Sequence, residues 1–340
     1  MRIEYSKPAA DLQKEGAERL LNDHKQKLFQ ENQLKRLATA QDRTECVLCG
    51  NGLSGELFLH RETPTIFCRV CGHLQTKKLP PPDFPDMEFA TIYPSLSAEE
   101  YHDRKRRIYQ PKLDWIIRSL APLRYSAEKL AEMRWTEMGA GAGYFTSALK
   151  DKGFHKVKGF DADRKLVELA NNFAEGTPLS HYEGKMADAI AQYPAEIYTS
   201  FFVLEHLPDA FHFFQELNKL PPGTLFIFAV PVFGLACLLE NIFSNNFARS
   251  FDCVVHTQVY TDKSIQYALE NSGFSILSEW VFGQDSSDLT RFMITNLQDK
   301  LSPAMIESLA GNLTSIEDGI QNCVDKAMLA DQRHVIAIKD

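Results

Sequence analysis

A glycine-rich loop and two acidic residues have the spacing of a nucleoside-binding site. Gly139, Gly141 and Gly143 alternate in the loop, with Glu137 two positions before the first glycine and Asp161 22 positions after it. Glycine lets the backbone turn tightly and lie against a ligand, because it has no Cβ. An acid about 20 residues after such a loop, at the tip of the next strand, holds ribose hydroxyls. We therefore expect the loop and Asp161 to bind a nucleoside.

The spacing also separates two classes of ligand. A dinucleotide loop has the pattern G-x-G-x-x-G, but the last position of that pattern is Tyr144 in this chain. An acid at Glu137 is poorly placed for a pyrophosphate, whereas it suits a cationic ligand with an amino group, such as S-adenosylmethionine (SAM). In the alternative interpretation the glycines only make a turn and Asp161 only caps a helix. The loop, its position between a strand and a helix, and both acids together favour SAM.

Four cysteines have the spacing of a metal site. Cys46 and Cys49 form one C-x-x-C pair, Cys68 and Cys71 form another, and 18 residues separate the pairs. This is a template for structural zinc, in which four thiolates complete a tetrahedron and leave no position for water. Such a metal stabilises the fold and does no chemistry. The alternative, two redox-active dithiols, is less consistent because neither pair lies in a thioredoxin-like βαβ pattern.

These residues need a framework, and the sequence from position 135 onward alternates between strand and helix patterns. The predicted strands are 135–138, 156–160, 179–182, 197–203, 224–230, 275–282 and 334–339. The predicted helices are 144–151, 164–174, 209–219, 262–272 and most of 301–330. Such alternation predicts an α/β, Rossmann-like fold, with a parallel sheet covered by helices on both faces.

The stretch 135–230 resembles a class I SAM-dependent methyltransferase. In that family an E/D-x-G-x-G-x-G loop holds the methionine part of SAM, the acid after the second strand holds the ribose, and the segment after the third strand borders the adenine. The resemblance implies that the following residues bind SAM: Glu137, Gly139, Ala140, Gly141, Gly143, Tyr144, Asp161, Ala162, Met186, Ala187, Asp188, Phe202 and Glu205.

The predicted fourth strand ends in a second motif of this family. The segment Phe202-Val-Leu-Glu205-His206-Leu207 is similar to one found in many small-molecule methyltransferases. Glu205 and His206 are candidates for catalysis or for positioning SAM, and in the alternative they only cap the helix that begins near Asp209. No N-P-P-Y or D-P-P-Y run follows the strand, so the usual mark of amino methylation on nucleic-acid bases is missing.

The order of the two modules along the chain resembles that of one particular group of class I methyltransferases. A four-Cys zinc module followed by a class I domain resembles the sugar methyltransferases of deoxysugar and surface-polysaccharide pathways, over residues 44–282. These include C-methyltransferases that act on nucleotide-linked keto-sugars. The resemblance implies four parts: a helical extension (1–43), a zinc-binding module (44–78), a linker with helices that cover the active site (79–121) and the methyltransferase domain (122–340).

The segment 251–260 resembles the F-D-x-I-Y-H-E-H segment of those enzymes. His256 matches its first histidine, but Val255, Thr257 and Gln258 replace the tyrosine, the glutamate and the second histidine. C-methylation requires a proton to be taken from carbon, and an enzyme doing so would be expected to keep the full set. O-methylation needs one base near the acceptor, a role that histidine suits. We therefore favour O-methylation slightly, with His256 as the candidate base, while an ordinary loop histidine is the alternative.

A basic helical segment contains the residues that we predict to bind the methyl acceptor. Tyr101, Arg104 and Lys105 share a helix face with Ile108, and their cations could clamp a diphosphate. In the alternative this is a solvated helix face. Tyr93 is predicted to cover the SAM site, on family similarity alone.

The amino-acid composition and net charge indicate which classes of partner the protein is expected to have. The net charge is −8 and the pI about 5.7, whereas proteins that grip nucleic-acid backbones usually carry a basic excess. No secretory signal or membrane span is recognisable. We predict a cytoplasmic enzyme with a small-molecule acceptor, and its polar segment 8–40 is a helix that either docks on the body or pairs two subunits. The alternatives are an RNA or protein methyltransferase that uses the zinc module for recognition, and a non-catalytic SAM-binding protein.

Overall fold

The computed structural model describes residues 1–8, 11, 26–80, 97–173 and 179–340. Within these residues twelve strands form two sheets. The strands are β1 (Arg2–Tyr5), β2 (Gly55–His60), β3 (Thr63–Cys68), β4 (Leu74–Thr76), β5 (Trp135–Met138), β6 (Val157–Asp161), β7 (Ser180–His181), β8 (Ile197–Phe201), β9 (Leu225–Pro231), β10 (Gln258–Val259), β11 (Phe274–Val281) and β12 (Gln332–Lys339).

Helices alternate with the strands of the larger sheet. The helices of the described residues are α1 (26–38), α2 (Ala98–Arg104), α3 (Gln110–Leu120), α4 (Ala127–Glu132), α5 (Tyr144–Asp151), α6 (Arg164–Phe173), α7 (Met186–Gln192), α8 (Ala210–Asn218), α9 (Leu235–Ile242), α10 (Asp262–Asn271), α11 (Asp285–Leu297) and α12 (Pro303–Lys326). A π-helical segment, Lys105–Tyr109, joins α2 to α3.

The larger sheet has the strand order β1-β11-β12-β9-β8-β5-β6-β7. All neighbours in it are parallel except β12, which is antiparallel to both β9 and β11. The chain moves outward from β5 to β6 and β7, and then returns to the other side of β5 to form β8. Ligands of such sheets bind beyond the carboxyl ends of the strands at this switch point.

The sheet is buried on both faces. Along β9, Leu225, Ile227 and Ala229 join a core with α3, α4 and α5, while Phe226 and Phe228 join a core with α7, α8 and α10. Because successive side chains of a strand point to opposite faces, a near-continuous apolar run marks a strand covered on both sides. The predicted Rossmann-like α/β fold is confirmed.

Some elements differ from the predicted ones. The strand β1 was not predicted, and it pairs in parallel with β11 at the sheet edge. The segment predicted as helix 301–330 forms α12, which ends at Lys326. No helix among the described residues is long and apolar enough to cross a membrane.

The smaller sheet contains the two cysteine pairs. It has the strand order β10-β4-β3-β2, so its last strand is supplied by the segment that follows His256. The four-Cys module, residues 44–78, is therefore joined by backbone hydrogen bonds to a loop of the larger domain.

The described part of the N-terminal helix docks on the body of the protein. In α1 the Gln30 side chain donates hydrogen bonds to the Ala248 carbonyl (2.7 Å) and to Asp252 Oδ2 (3.0 Å), and Leu37 is fully buried. The rest of the predicted helix 8–40 lies largely outside the described residues. Pairing of two subunits through this helix stays a prediction.

Candidate functional site

The glycine loop connects β5 to α5 at the carboxyl edge of the sheet. Gly139, Gly141 and Gly143 have φ values of 69°, 52° and 71°, a region that favours glycine. A Cβ on Gly139 would stand 2.4 Å from the Val203 side chain, so this glycine permits close packing against the loop after β8. A Cβ on Gly141 would meet nothing within 4 Å. The backbone at Gly141 therefore lines an open space, as a loop that receives a ligand requires.

Asp161 holds the loop from the end of β6. Its carboxylate accepts hydrogen bonds from the backbone N–H of Gly141 (2.7 Å) and of Asp163 (2.9 Å). Burial raises the pKa of this half-buried carboxyl group. The adjoining Ala162 is exposed. The predicted ribose acid thus lies directly against the loop predicted to hold the methionine part.

Glu137 lies at the end of β5, directly before the glycine loop. Its side chain is buried, and one carboxylate oxygen accepts hydrogen bonds from the backbone N–H of Thr146, at 2.9 Å, and from the Thr146 hydroxyl. Burial raises the pKa of Glu137 to about 8. This carboxyl group caps the first turn of α5 and so supports the glycine loop. Contact between Glu137 and the amino group of SAM stays a prediction.

The other predicted SAM residues surround the same edge. Met186 is half-buried, Ala187 is buried and Asp188 is exposed in the first turn of α7. Ala140 is buried, and its N–H donates to the carbonyl of Phe160 in β6.

Phe202 and Tyr144 are the aromatic members of the predicted set. Phe202 directly follows β8 and has a φ of 58°, a strained value for a bulky residue of the kind that clusters at functional sites. Tyr144 is buried and stacks on Tyr101 and Tyr109, with ring centroids 4.5 and 5.1 Å away.

Glu205, His206 and His256 come together and are called the histidine cluster below. Glu205 and His206 lie in a 3₁₀ turn directly after β8, whereas His256 lies in the loop before β10. The two imidazole rings are 4.8 Å apart, and His206 Nε2 is 3.9 Å from Glu205 Oε1. One ligand atom of each residue lies within 4.8 Å of the others. Because Val203 packs against Gly139, the cluster adjoins the glycine loop.

The loop of His256 is organised by one carboxylate. Asp252 Oδ1 accepts hydrogen bonds from the backbone N–H of Val254, Val255 and His256, at 2.9, 2.9 and 3.0 Å. His256 Nδ1 lies 2.9 Å from the carbonyl oxygen of Ser250, which can only accept, so Nδ1 carries the hydrogen. In the neutral ring the other nitrogen, Nε2, therefore holds a free lone pair.

Burial sets the protonation states of the cluster. It lowers the pKa of His206 to about 3 and lowers the pKa of His256, while it raises the pKa of Glu205 to about 8. Both imidazoles are therefore in the neutral form at pH 7, and His206, with its pKa of about 3, is a very weak base. Glu205 Oε2 is buried and has no hydrogen-bond partner within the described part of the chain. Two neutral imidazoles and a carboxyl group could also ligate a divalent cation.

The face that was predicted to bind the acceptor is turned toward the interior, because Tyr101, Lys105 and Ile108 are all buried. Tyr101 is fully buried and donates a hydrogen bond to the Ala142 carbonyl, 3.1 Å away. Lys105 is buried and pairs with Asp151 at 2.6 Å. Only Arg104 remains partly exposed, with its guanidinium 5.3 Å from the Tyr144 ring.

This face packs against the first residues of α5, where Tyr101 stacks on Tyr144 and Lys105 donates a hydrogen bond to the Ser147 hydroxyl. The arrangement does not support Tyr101 and Lys105 as acceptor contacts. Tyr93 lies outside the described residues.

The four cysteines converge on one point. Their Sγ atoms lie within 4.8 Å of one another, with Cys46 to Cys71 at 3.6 Å and Cys49 to Cys68 at 3.9 Å. Thiolates at ~2.3 Å from a tetrahedral zinc ion stand ~3.8 Å apart, so these distances fit the ion. All four are buried, and the glycine after each pair has a positive φ, as the predicted knuckle turns require.

Comparison with known protein families identifies the larger domain. The model of a family described as "Methyltransferase domain" matches residues 107–279, which is more than half of the chain. The chain belongs to this family. It is a SAM-dependent methyltransferase, as the glycine loop predicted.

The methyltransferase also matches solved structures. A SAM-dependent methyltransferase from Archaeoglobus fulgidus is 15% identical, with a TM-score of 0.45 over 75% of this chain and 100% of that one. The magnesium protoporphyrin IX methyltransferase of Synechocystis PCC 6803, with bound S-adenosylhomocysteine (SAH), is 14% identical. Its TM-score is 0.43, and the match covers 74% of this chain and 93% of that one. No curated protein is a significant sequence relative.

Sequence reasoning missed one charged residue near the methyltransferase's glycine loop. Lys112 of α3 is buried, its Nζ lies 5.0 Å from the centre of the Phe202 ring, and its charge acts to lower the pKa of Glu137. A signal was available, because Lys112 falls four positions before Ile116 on the apolar stripe of α3. A lysine within such a stripe marks a buried charge.

Proposed function

We propose that the methyltransferase transfers the methyl group of SAM to a hydroxyl group of a sugar or nucleotide-sugar, with His256 as the base. The observation that carries this proposal is the histidine cluster, which lies beside the glycine loop with its imidazoles in the neutral form. A neutral histidine next to a methyl donor is suited to accept the proton of an attacking hydroxyl group.

The described residues fit SAM at the carboxyl edge of the sheet. In the proposed arrangement the open space at Gly141 receives the methionine part, Asp161 holds the ribose, and the first turn of α7 borders the adenine. The methyl group then faces the turn that carries Glu205 and His206. Bound SAM supplies an electrophilic methyl group on a positively charged sulfur.

Transfer then requires one proton to leave the acceptor. The acceptor hydroxyl gives its proton to His256 Nε2 while its oxygen forms a bond to the methyl carbon. The bond from that carbon to sulfur breaks, and SAH leaves. Most of the rate enhancement comes from holding the oxygen and the methyl group in line. His206 and Glu205 border the proton acceptor, and we assign them to the same catalytic site.

The loop around His256 favours oxygen over carbon as the methylated atom. Two of the positions where the resembling C-methyltransferases have titratable side chains carry neutral ones here. Thr257 has a hydroxyl group, and Gln258 has an amide that is buried between His73 and Leu207. His256 is then the main base on this loop, which is sufficient for a hydroxyl group.

The sugar class and the structural zinc ion rest on the four-Cys module. Its position before a class I domain resembles sugar methyltransferases, and its Sγ distances fit a tetrahedral ion. The ion would be held by Cys46, Cys49, Cys68 and Cys71 with no open position. The acidic net charge of −8 supports a small acceptor over RNA.

The test is methyl transfer from methyl-labelled SAM by the purified, zinc-loaded protein. The acceptors are a panel of nucleotide-sugars, with total RNA and denatured protein in parallel. We expect one nucleotide-sugar to gain a single methyl group, and fragmentation of the product to place it on oxygen. A product methylated on carbon would contradict the assignment of a hydroxyl acceptor. Transfer to RNA or protein alone would contradict the sugar class.

A further inference from the structure

The four-Cys module is attached to the loop that carries His256. Strand β10 pairs with β4 of the module, with Gln258 opposite Gln75 and Val259 opposite Leu74. The N–H of Thr76 donates a hydrogen bond to the carbonyl of Thr257, 2.8 Å away, and Thr257 directly follows His256. The backbone on the carboxyl side of His256 is therefore held by the module.

One buried side chain extends this attachment to His206. The Gln258 side chain is only 2% exposed. Its Oε1 lies 2.7 Å from His73 Nε2, and its Nε2 donates to the carbonyl oxygen of Leu207 at 2.7 Å. His73 stands two positions after Cys71, and Leu207 directly follows His206. A single side chain thus joins a zinc-binding turn to the 3₁₀ turn of the histidine cluster.

Both zinc-binding turns are tied to the larger domain. The Thr261 hydroxyl donates to the carbonyl of Gly72, at 2.8 Å, in the second turn. In the first turn, the carbonyl of Val47 accepts a hydrogen bond from the N–H of Phe211, at 2.9 Å, at the start of α8. Phe211 follows His206 by five positions. The segments that carry His206 and His256 are therefore each anchored to the module.

The glycine loop does not share these attachments. Among the described residues, the hydrogen bonds that organise it come from residues 137–161 and from the Tyr101 hydroxyl, which donates to the Ala142 carbonyl. The module therefore reaches the histidine cluster through direct hydrogen bonds, whereas it reaches the end of β5 only through side-chain packing.

We propose that Gln258 and His73 are positioning residues, through which the metal-bound four-Cys module fixes His206 and His256 on the acceptor side. The module is then a scaffold for the catalytic site, and occupancy of the four thiolates controls the geometry of the histidine cluster. This inference rests on the proposed function in one respect, which is that the histidine cluster lies on the side of the site that receives the methyl acceptor.

The test compares two glutamine variants that differ in position. Gln258→Met keeps the length of the side chain and removes both hydrogen bonds. Gln266→Met is the matched control, because Gln266 lies on the exposed face of α10 and its side-chain amide donates a hydrogen bond to Glu270, 2.7 Å away. Zinc content and the dissociation constant for SAM are measured on both proteins, and we expect both quantities to remain at the values of the unsubstituted protein.

The readout is the pH titration of the histidine side chains by NMR on ¹³C-histidine-labelled protein. His206→Gln and His256→Gln assign the two signals. In Gln258→Met we expect both signals to shift and their pKa values to rise toward the ordinary 6.5, because loosened turns admit water to rings that burial keeps neutral. The control should titrate like the unsubstituted protein.

Removal of zinc by a chelator should move the same two signals in the same direction while SAM still binds. Unchanged His206 and His256 titrations in zinc-loaded Gln258→Met would overturn the inference. These signals are read without any acceptor, so a failure of sugar methylation and a failure of this inference are distinguishable.

Discussion

Gly141 is the residue at which a side chain would most directly displace SAM. Its φ of 52° and the open space at its Cβ position combine backbone strain with exclusion of the ligand. We expect Gly141→Arg to weaken SAM binding by at least ~100-fold, which corresponds to ~2.7 kcal/mol. Isothermal titration measures this directly.

A matched glycine separates strain from ligand exclusion. Gly153 has a φ of 85° and open space at its Cβ position, but it follows α5 at the opposite end of that helix. Gly153→Arg should therefore leave the SAM affinity unchanged. Equal affinities for SAM in the two variants would contradict the location of the site.

His256 is the residue on which the proposed chemistry depends. His256→Ala should lower kcat by ~10²- to 10⁴-fold, the usual contribution of a general base, with SAM affinity retained. The control is His212→Ala, because His212 is an exposed histidine that pairs with Asp209 at 2.6 Å, only six positions beyond His206. A His256→Ala enzyme with full activity would remove His256 from the mechanism.

The protonation of His256 predicts the shape of the pH profile. Burial lowers its pKa below 6.5, and the groups around it are His206, Glu205, Asp252 and Arg249. The base form is complete above the lowered pKa and is lost as the pH falls through it. We expect kcat to be independent of pH just above 6.5 and to decline only at lower pH. If kcat already began to fall above pH 6.5 as the pH was lowered, burial would not lower the pKa of His256.

At the scale of elements, we predict that the stability of the four-Cys module depends on a bound zinc ion. Binding energy of a structural zinc ion is folding energy, because the site does not exist in the unfolded chain. We expect one zinc ion per chain, and we expect Cys68→Ser to abolish its binding and to lower the free energy of unfolding by ~4 kcal/mol or more. Metal analysis and thermal unfolding measure the two effects.

The control for the module is a cysteine outside it. Cys323 is exposed on α12, so Cys323→Ser should change neither zinc content nor the unfolding temperature. If Cys68→Ser retained a full equivalent of zinc, the four-thiolate site would be wrong.

The elements that sequence predicted well are those with local apolar patterns. The bounds of β5, β6, β8, β9 and of α5 were predicted to within two residues. The helix α11 falls in the segment 283–333, which was expected to be helical, but its bounds were not predicted because its buried positions include Asp285, Ser286 and Asp288, which pack in a hydrogen-bond network and not in an apolar stripe. Strand β1 has four residues, and only pairing with β11 far along the chain defines it.

At the scale of the whole molecule, sequence located the candidate residues but not their partners. The spacing of the glycine loop predicted a ligand-binding edge of the sheet, and the two C-x-x-C pairs predicted the four cysteines that the fold brings together. The meeting of His206 with His256 follows from long-range packing, which spacing does not encode. The same is true of Gln258, whose neighbours His73 and Leu207 are distant in sequence from each other. The tertiary fold alone makes these contacts visible.

The most direct test of the account is a crystal structure of the zinc-loaded protein with SAH. We predict the ribose hydroxyls at Asp161, the homocysteine part against Gly141, and the sulfur directed at the turn of Glu205 and His206 with His256 across from it. Such a complex would place the transferred methyl group between the glycine loop and the histidine cluster. SAH bound with its sulfur directed away from both histidines would contradict the assignment of the acceptor side.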